Sequence, residues 1–243
     1  MKTAIVTGAS GTIGGAITAR LVNDGFFVFA QYNDNLKGIE SLIEKLSDKK
    51  DCVYPIKFDL KKGQEIKSAM EKIKSVKQNV DVLVNCAGVG LYKLATETTE
   101  KEWNDLFSIN VTGMQTLTSL VLDGMISQKK GKIVNVSSIW GVVGASMEVA
   151  YSASKSAIIG YTKALAKEVG YSGINVNCVC PGVIDTKMNA RFSESEMAEL
   201  IDSTPLGRIG KGEDVAELVG FLSSEKSDFI TGQVITIDGG FTL

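Results

Sequence analysis

The chain contains no histidine. That absence excludes mechanisms built on an imidazole base or relay, and metal sites that need imidazole ligands. Acid–base chemistry near neutral pH must come from tyrosine, lysine, cysteine or a carboxylate, and no metal site is expected. Only three prolines occur in 243 residues, and no Pro- or Ser-rich linker divides the chain, so residues 1–243 read as one domain. The four cysteines, Cys52, Cys86, Cys178 and Cys180, lack metal-type spacing and do not form a small disulfide framework. They are expected as reduced, mostly buried thiols. No apolar run reaches the roughly 18 residues of a membrane span, and the N-terminus is too short in apolar residues for a signal segment. A cytoplasmic protein is expected. Charge is nearly balanced, 26 basic against 28 acidic residues, which supplies no field for nucleic acid or an anionic membrane. Neither is expected as a partner.

What is present is an ordinary globular composition, 44% hydrophobic and 22% charged, in a chain long enough to bury a full core. Short β-rich runs alternate with amphipathic stretches throughout. Strands are predicted at Thr3–Thr7, Phe27–Tyr32, Cys52–Phe58, Val80–Asn85, Lys132–Ser137, Asn175–Cys180 and Gln233–Ile237. Helices are predicted at Gly14–Asn23, Leu36–Lys49, Gln64–Lys74, Glu100–Gln128, Val149–Val169 and Asp214–Leu222. Asp34 or Asn35 is placed to cap the second helix, and Thr99 with Glu102 forms a capping-box pattern. Continuous apolar strands separated by helices imply an α/β fold, a doubly wound parallel sheet with helices on both faces. Residues 181–205 interrupt the alternation with mixed polar, Met and Phe residues (Met188, Phe192, Met197). Lying beyond the carboxyl end of a strand, they read as a lid over a ligand, or else as surface helices.

Two features carry chemistry. The first strand runs into Thr7-Gly8-Ala9-Ser10-Gly11-Thr12-Ile13-Gly14, where glycines let the backbone approach a pyrophosphate and the helix N-terminus supplies free N–H groups. Tyr151 and Lys155 lie four apart on a predicted helix and so share a face. A phenol of pKa about 10 needs roughly 4 kcal/mol to move down three units. One ammonium at about 4 Å supplies about that much at an effective dielectric near 20. The pair can replace the missing histidine.

Together these residues resemble the short-chain dehydrogenase/reductase family, over essentially the whole chain from Thr3 to Phe241. Thr12 stands where the family's turn usually has its middle glycine, with Gly11 in the preceding place. The resemblance implies a Rossmann-type seven-stranded sheet and NADPH/NADP+ as cofactor. It implies cofactor contacts from Gly8, Ser10, Gly11, Thr12, Ile13 and Gly14 in the first turn, and from Tyr32 and Asn33 at the end of the second strand. Asp59-Leu60 resembles the acidic step that holds adenine, although Asp59 also reads as a helix cap. Asn85-Cys86-Ala87-Gly88 resembles the family's Asn-Asn-Ala-Gly signature, and Pro181, Gly182, Ile184 and Thr186 resemble the loop over the nicotinamide. Asn110, Ser138, Tyr151 and Lys155 are the implied catalytic set, the last two also touching cofactor. Tyr151 is the proton donor, Ser138 stabilises the carbonyl oxygen, Lys155 serves phenol and ribose, and Asn110 anchors a water relay.

NADPH is expected over NADH because Tyr32 places no carboxylate against a 2′-phosphate, with the Asn33 amide as a donor to it and Lys37 the nearby cation. Within the family the shape resembles bacterial 3-oxoacyl-[acyl-carrier-protein] reductases, through Pro205-Leu-Gly-Arg-Ile-Gly210 and Ile230-Thr-Gly-Gln233. Val89-Gly90-Leu91-Tyr92 and Ser172 depart from that group. The run Ser137–Tyr151 instead resembles enzymes that reduce the 5-aminopentanone group on elongation factor P. The expected substrate is therefore a small or carrier-bound ketone, the carrier being acyl carrier protein or elongation factor P, and a homotetramer is implied. A non-catalytic dinucleotide sensor is the alternative from another class; it predicts loss of Ser, Tyr or Lys, and all three are present. Trp140 reads equally as core or substrate wall. Lys129, Lys130 and Lys132 read as a solvated loop, or as a dock for an acidic carrier.

Overall fold

The computed structural model describes residues 1–186, 189 and 192–243. Met188 and the other residues of the predicted lid between these ranges lie outside the described residues. Seven strands, β1 (Thr3–Val6), β2 (Phe27–Tyr32), β3 (Val53–Lys57), β4 (Val82–Asn85), β5 (Gly131–Val136), β6 (Ile174–Pro181) and β7 (Val234–Ile237), form one sheet in the order β3-β2-β1-β4-β5-β6-β7. Every pairing is parallel. The order reverses between β1 and β4, where an open sheet forms a crevice at its carboxyl edge.

The strands are apolar on both faces because each face is covered. Ala4 and Val6 of β1, with Val82 and Val84 of β4, meet Ile17 and Leu21 of α1 (Thr12–Asn23), Ile39 of α2 (Leu36–Lys45), and Val215 and Val219 of α9 (Gly212–Leu222). Ile5, Phe29 and Leu83 point the other way. They meet Ile66 and Met70 of α3 (Gly63–Val76), Leu117 of α5 (Met114–Gln128) and Leu165 of α7 (Val149–Val169).

Two of the predicted helices change by more than two residues. The helix predicted over Glu100–Gln128 is α4 (Glu100–Phe107), a π turn at Ser108–Gly113, and then α5. The turn has two causes. Asn110 is drawn inward to bond the loop after β4, and at Gly113 a Cβ would collide with the Leu60 carbonyl. The second helix stops at Lys45 rather than Lys49, because Ser47 adopts a left-handed φ of 46°. Two helices appear that periodicity did not predict, α6 (Trp140–Val143) and α8 (Glu194–Asp202). The caps agree with expectation: Asn35 accepts from Gly38 N at 3.1 Å, and Thr99 with Glu102 forms a capping box. Lys132 is not in a solvated loop. It lies buried on β5 with its ammonium 2.6 Å from Asp228.

Candidate active site

A cleft of about 600 Å³ opens along the carboxyl edge of the sheet at the reversal between β1 and β4. Its floor is the first turn. Gly8 has φ 68°, and a Cβ there would stand 2.9 Å from the Ala87 Cα; at Gly14 a Cβ would run into the Gly8 carbonyl. The Thr7 hydroxyl accepts from the backbone N–H groups of Cys86 and Ala87, both at 3.0 Å, which fastens the ends of β1 and β4 together. Gly8 N donates to Gln31 Oε1 at 2.8 Å while Gln31 Nε2 donates to the Phe58 carbonyl at 2.7 Å. Gln31 thus ties three strand ends beneath the turn and lines the cleft. Its one signal in the sequence is an amide inside the otherwise apolar run Phe27–Tyr32.

Gly11 caps α1 without a side chain, and the first turn of that helix contains no acidic residue. Ser10, Gly11, Thr12, Ile13 and Gly14 all line the cleft. Uncapped N–H groups and an uncompensated helix dipole face this space, an arrangement that holds phosphate. Next along the cleft come Tyr32, Asn33, Asp34, Asp59 and Leu60. Asp59 is not a helix cap: its carboxylate accepts from Lys61 N at 2.9 Å, and α3 begins four residues later. The Asn33 amide donates to the Asp34 carboxylate at 2.8 Å, so the donor expected for a phosphate is engaged by its neighbour.

The catalytic candidates occupy the other end. β5 delivers Ser138 just past its carboxyl end, where the Ser138 hydroxyl accepts from Trp140 N at 3.2 Å. One face of α7 brings Tyr151 and Lys155 to the cleft. The Lys155 ammonium donates to the Val136 carbonyl at 3.0 Å and lies 5.6 Å from the centre of the Tyr151 ring. Burial lowers the Lys155 pKa, which loosens its proton, while the ammonium nearby favours a phenolate. Cys86 lines the same wall, and burial pushes its thiol up to about 12, which disfavours a thiolate there. Trp140 is a wall of the cleft, packed beside Tyr151 and edge-on to Phe241.

Asn110 and Asn85 stand behind the wall. Neither lines the cleft. Asn110 accepts from Val89 N at 2.9 Å and donates to the Val89 carbonyl at 2.9 Å and to the Ser154 hydroxyl at 3.0 Å. It holds the loop after β4 against α7, and it acts on the site through that loop. Asn85, expected at the cofactor, instead donates to Asn135 at 2.8 Å and Thr118 at 3.0 Å, stitching β4 to β5 and α5. Its own carbonyl oxygen is buried without a partner. Ala87 and Gly88 do reach the cleft. Cys178 and Cys180 share a face of β6, as expected, as free thiols whose sulfurs make a weak hydrogen bond at 3.9 Å.

The far wall comes from the end of β6. Pro181 accepts from Ile139 N and Gly182 donates to the Ile237 carbonyl, each at 3.0 Å. A Cβ on Gly182 would stand 2.6 Å from Asp238, so glycine is required for this approach. Ile184 and Thr186 continue the wall, and Phe192 and Leu200 of the lid segment close it. Sequence reasoning missed Gln31, Glu148 and Leu200, which depend on contacts across the fold.

The cleft suits a dinucleotide on its own geometry. A glycine cradle without room for Cβ atoms and a bare helix N-terminus lie at one end, and hydroxyl, phenol and ammonium groups at the other. Comparison with known proteins agrees. The sequence pattern of the family described as short chain dehydrogenase matches residues 2–197. The chain is similar to an uncharacterized oxidoreductase of Bacillus subtilis, 37% identical over 242 residues, covering 99% of this chain and 98% of that one. It is also similar to the 3-oxoacyl-[acyl-carrier-protein] reductase of Thermotoga maritima, 36% identical over 100% of this chain and 98% of that one. The enzyme of that name from Staphylococcus epidermidis is 36% identical over 98% of both chains.

Proposed function

The chain belongs to the short-chain dehydrogenase family of oxidoreductases, and from that premise we propose that it reduces a carrier-borne ketone to an alcohol with NADPH. The observation that carries this reading is the convergence of Ser138, Tyr151 and Lys155 on one end of a cleft whose other end is the glycine turn. When held along the glycine turn and the Pro181–Thr186 wall, a nicotinamide cofactor would supply the hydride for the carbonyl carbon. Tyr151 donates the proton to the carbonyl oxygen, and Ser138 hydrogen-bonds that oxygen as negative charge develops. Lys155 favours phenolate once the proton has left, and it would hold a ribose hydroxyl of the cofactor. Asn110 keeps the Ala87–Val89 loop, and with it this geometry, in place.

NADPH is favoured because Tyr32 at the end of β2 puts no carboxylate where a 2′-phosphate would meet it. The names of the relatives from Thermotoga and Staphylococcus make a 3-oxoacyl group on acyl carrier protein the first substrate to test. The 5-aminopentanone group on elongation factor P is the second, favoured by the resemblance of Ser137–Tyr151 to enzymes that reduce it. Four free cysteines suit a cytoplasmic location, and among the described residues no helix is long and apolar enough to cross a membrane. A homotetramer accounts for the apolar groups left exposed along α4, α5 and α7, namely Trp103, Ile126 and Val149. NADPH consumption with an acetoacetyl thioester, beside ketone-modified elongation factor P, tests the reading. Absence of turnover with both, or a monomeric mass at micromolar protein, overturns the corresponding part.

A further inference from the structure

The residues that follow β7 fold back on themselves. The Asp238 carboxylate accepts from Gly240 N and Thr242 N at 3.0 Å each, and from the Thr242 hydroxyl at 2.6 Å. Gly239 and Gly240 have left-handed φ values of 67° and 89°, which glycine adopts without a Cβ penalty. The chain closes into a hook. Both roots of the far wall of the cleft rest on it. The wall leaves β6 at Gly182, whose N–H donates to the Ile237 carbonyl and whose backbone leaves no room for a Cβ against Asp238. It returns after α8 at Leu206, whose N–H donates to the Gly239 carbonyl at 3.1 Å. Beside it, a Cβ on Gly239 would stand 2.7 Å from the Thr204 methyl.

The hook also reaches the catalytic end. Phe241 lies between Gly240 and Thr242, the two residues that Asp238 holds. Its ring meets Trp140 edge-on, with centres 5.9 Å apart and planes at 79°, a geometry that favours one mutual orientation of the two rings. Trp140 lines the cleft and packs beside Tyr151. Its backbone N–H donates to the Ser138 hydroxyl at 3.2 Å. A chain of direct contacts thus runs from Asp238 through Thr242 and Phe241 to Trp140, and from Trp140 to Ser138.

We propose that the hook after β7 is a working part of the active site, in which Asp238 is a positioning residue that sets Phe241 behind Trp140 and so fixes the wall against which the ketone is held. This rests on the ketone reduction proposed above and adds two residues, Asp238 and Phe241, that act on substrate fit through Trp140. The glycine turn that receives the cofactor lies at the other end of the cleft, so the hook governs the ketone and leaves cofactor affinity alone.

The test reads ketone and cofactor separately. In Phe241→Ala, KM for an acetoacetyl thioester should rise at least about fivefold, while NADPH affinity by calorimetry stays within about twofold of wild type. Phe241→Tyr keeps the ring and should restore KM. Asp238→Ala keeps the Cβ beside Gly182 but opens the hook, so KM should rise at least as much. Adding Phe241→Ala to it should change little more, because both act along one route. An unchanged KM in Phe241→Ala, additive effects in the double variant, or a parallel loss of NADPH affinity overturns the proposal. If Asp238→Ala does not fold, Thr242→Val, which removes only the hydroxyl, takes its place in the cycle. A second measurement needs no turnover. The chain has two tryptophans, so Trp103→Phe leaves Trp140 as the reporter. Acrylamide should quench it about twofold more readily once Phe241 or Asp238 is alanine. If no ketone is reduced, it is the ketone reduction that fails and the quenching decides; quenching unmoved by either replacement overturns the proposal.

Discussion

Replacement of Asn110 by alanine tests whether the break between α4 and α5 exists to hold the active-site loop. The side chain is 1% exposed and makes three hydrogen bonds, two to the backbone of Val89 and one to Ser154. Alanine removes all three and leaves the Val89 N–H and carbonyl to find water at a partly exposed position. At about 1 kcal/mol per hydrogen bond, the loss is about 3 kcal/mol. For a chain of this size that corresponds to a fall in Tm of roughly 6–12 °C. Catalysis should suffer as well, since a Cβ on Gly88 would lie only 3.2 Å from the Lys155 ammonium and 3.4 Å from Asn110 Oδ1. A loop displaced by an ångström there should lower kcat about a hundredfold. Asn110→Asp separates the parts. It keeps an acceptor for Val89 N but turns a carboxylate oxygen toward the Val89 carbonyl, so it should be no more stable than the alanine variant at neutral pH. Thermal and urea unfolding measure the first effect, and single-turnover kinetics the second. An alanine variant within 1 kcal/mol of wild type and within threefold in kcat would refute the positioning role.

Tyr151→Phe should leave the fold and NADPH affinity nearly intact while lowering kcat at least about a hundredfold; a variant with more than a tenth of the wild-type rate would exclude Tyr151 as the acid. Tyr32→Asp should move the ratio of catalytic efficiencies toward NADH, since it sets a carboxylate against the 2′-phosphate, and an unmoved ratio would assign the choice elsewhere in the cleft. Backbone and side-chain hydrogen bonds from Thr99, with the Lys93 ammonium, hold the Glu102 carboxyl at about 2, below its ordinary value of 4.5. Its contribution to stability is complete above pH 4.5 and is lost as pH falls toward 2. Urea midpoints measured from pH 5 to 3 should therefore decline less in Glu102→Gln than in wild type, and parallel curves would contradict this.

Much of this was legible in the amino-acid order. Runs such as Ala4-Ile-Val and Val82-Leu-Val are apolar at every position, and such runs can be satisfied only between two layers of helices. Glycine spacing in the first turn and the four-residue step from Tyr151 to Lys155 depend on local geometry, and both features line one cleft in the fold. Five features were decided by the tertiary structure. Asn110 is implied as the anchor of a water relay and as a stitch between elements, and the partners of its amide, Val89 and Ser154, lie 21 and 44 positions away. Asn85 was assigned to the cofactor, but its partners on β5 and α5 turn it inward. Lys132 reads both as the first residue of a strand and as part of a solvated lysine loop; it lies on the strand, its ammonium paired with Asp228, 96 positions on. Gln31 and Glu148 carry no local signal that says what they face. One polar residue in an apolar strand, or one carboxylate at a helix start, has the same immediate neighbours whether it faces solvent or a cleft. Helical and strand periods are set by bonds within a few residues, so the sequence determined the elements and their faces. The partner of a buried polar group is set by which distant elements the sheet order brings alongside it, and only the folded chain decides that.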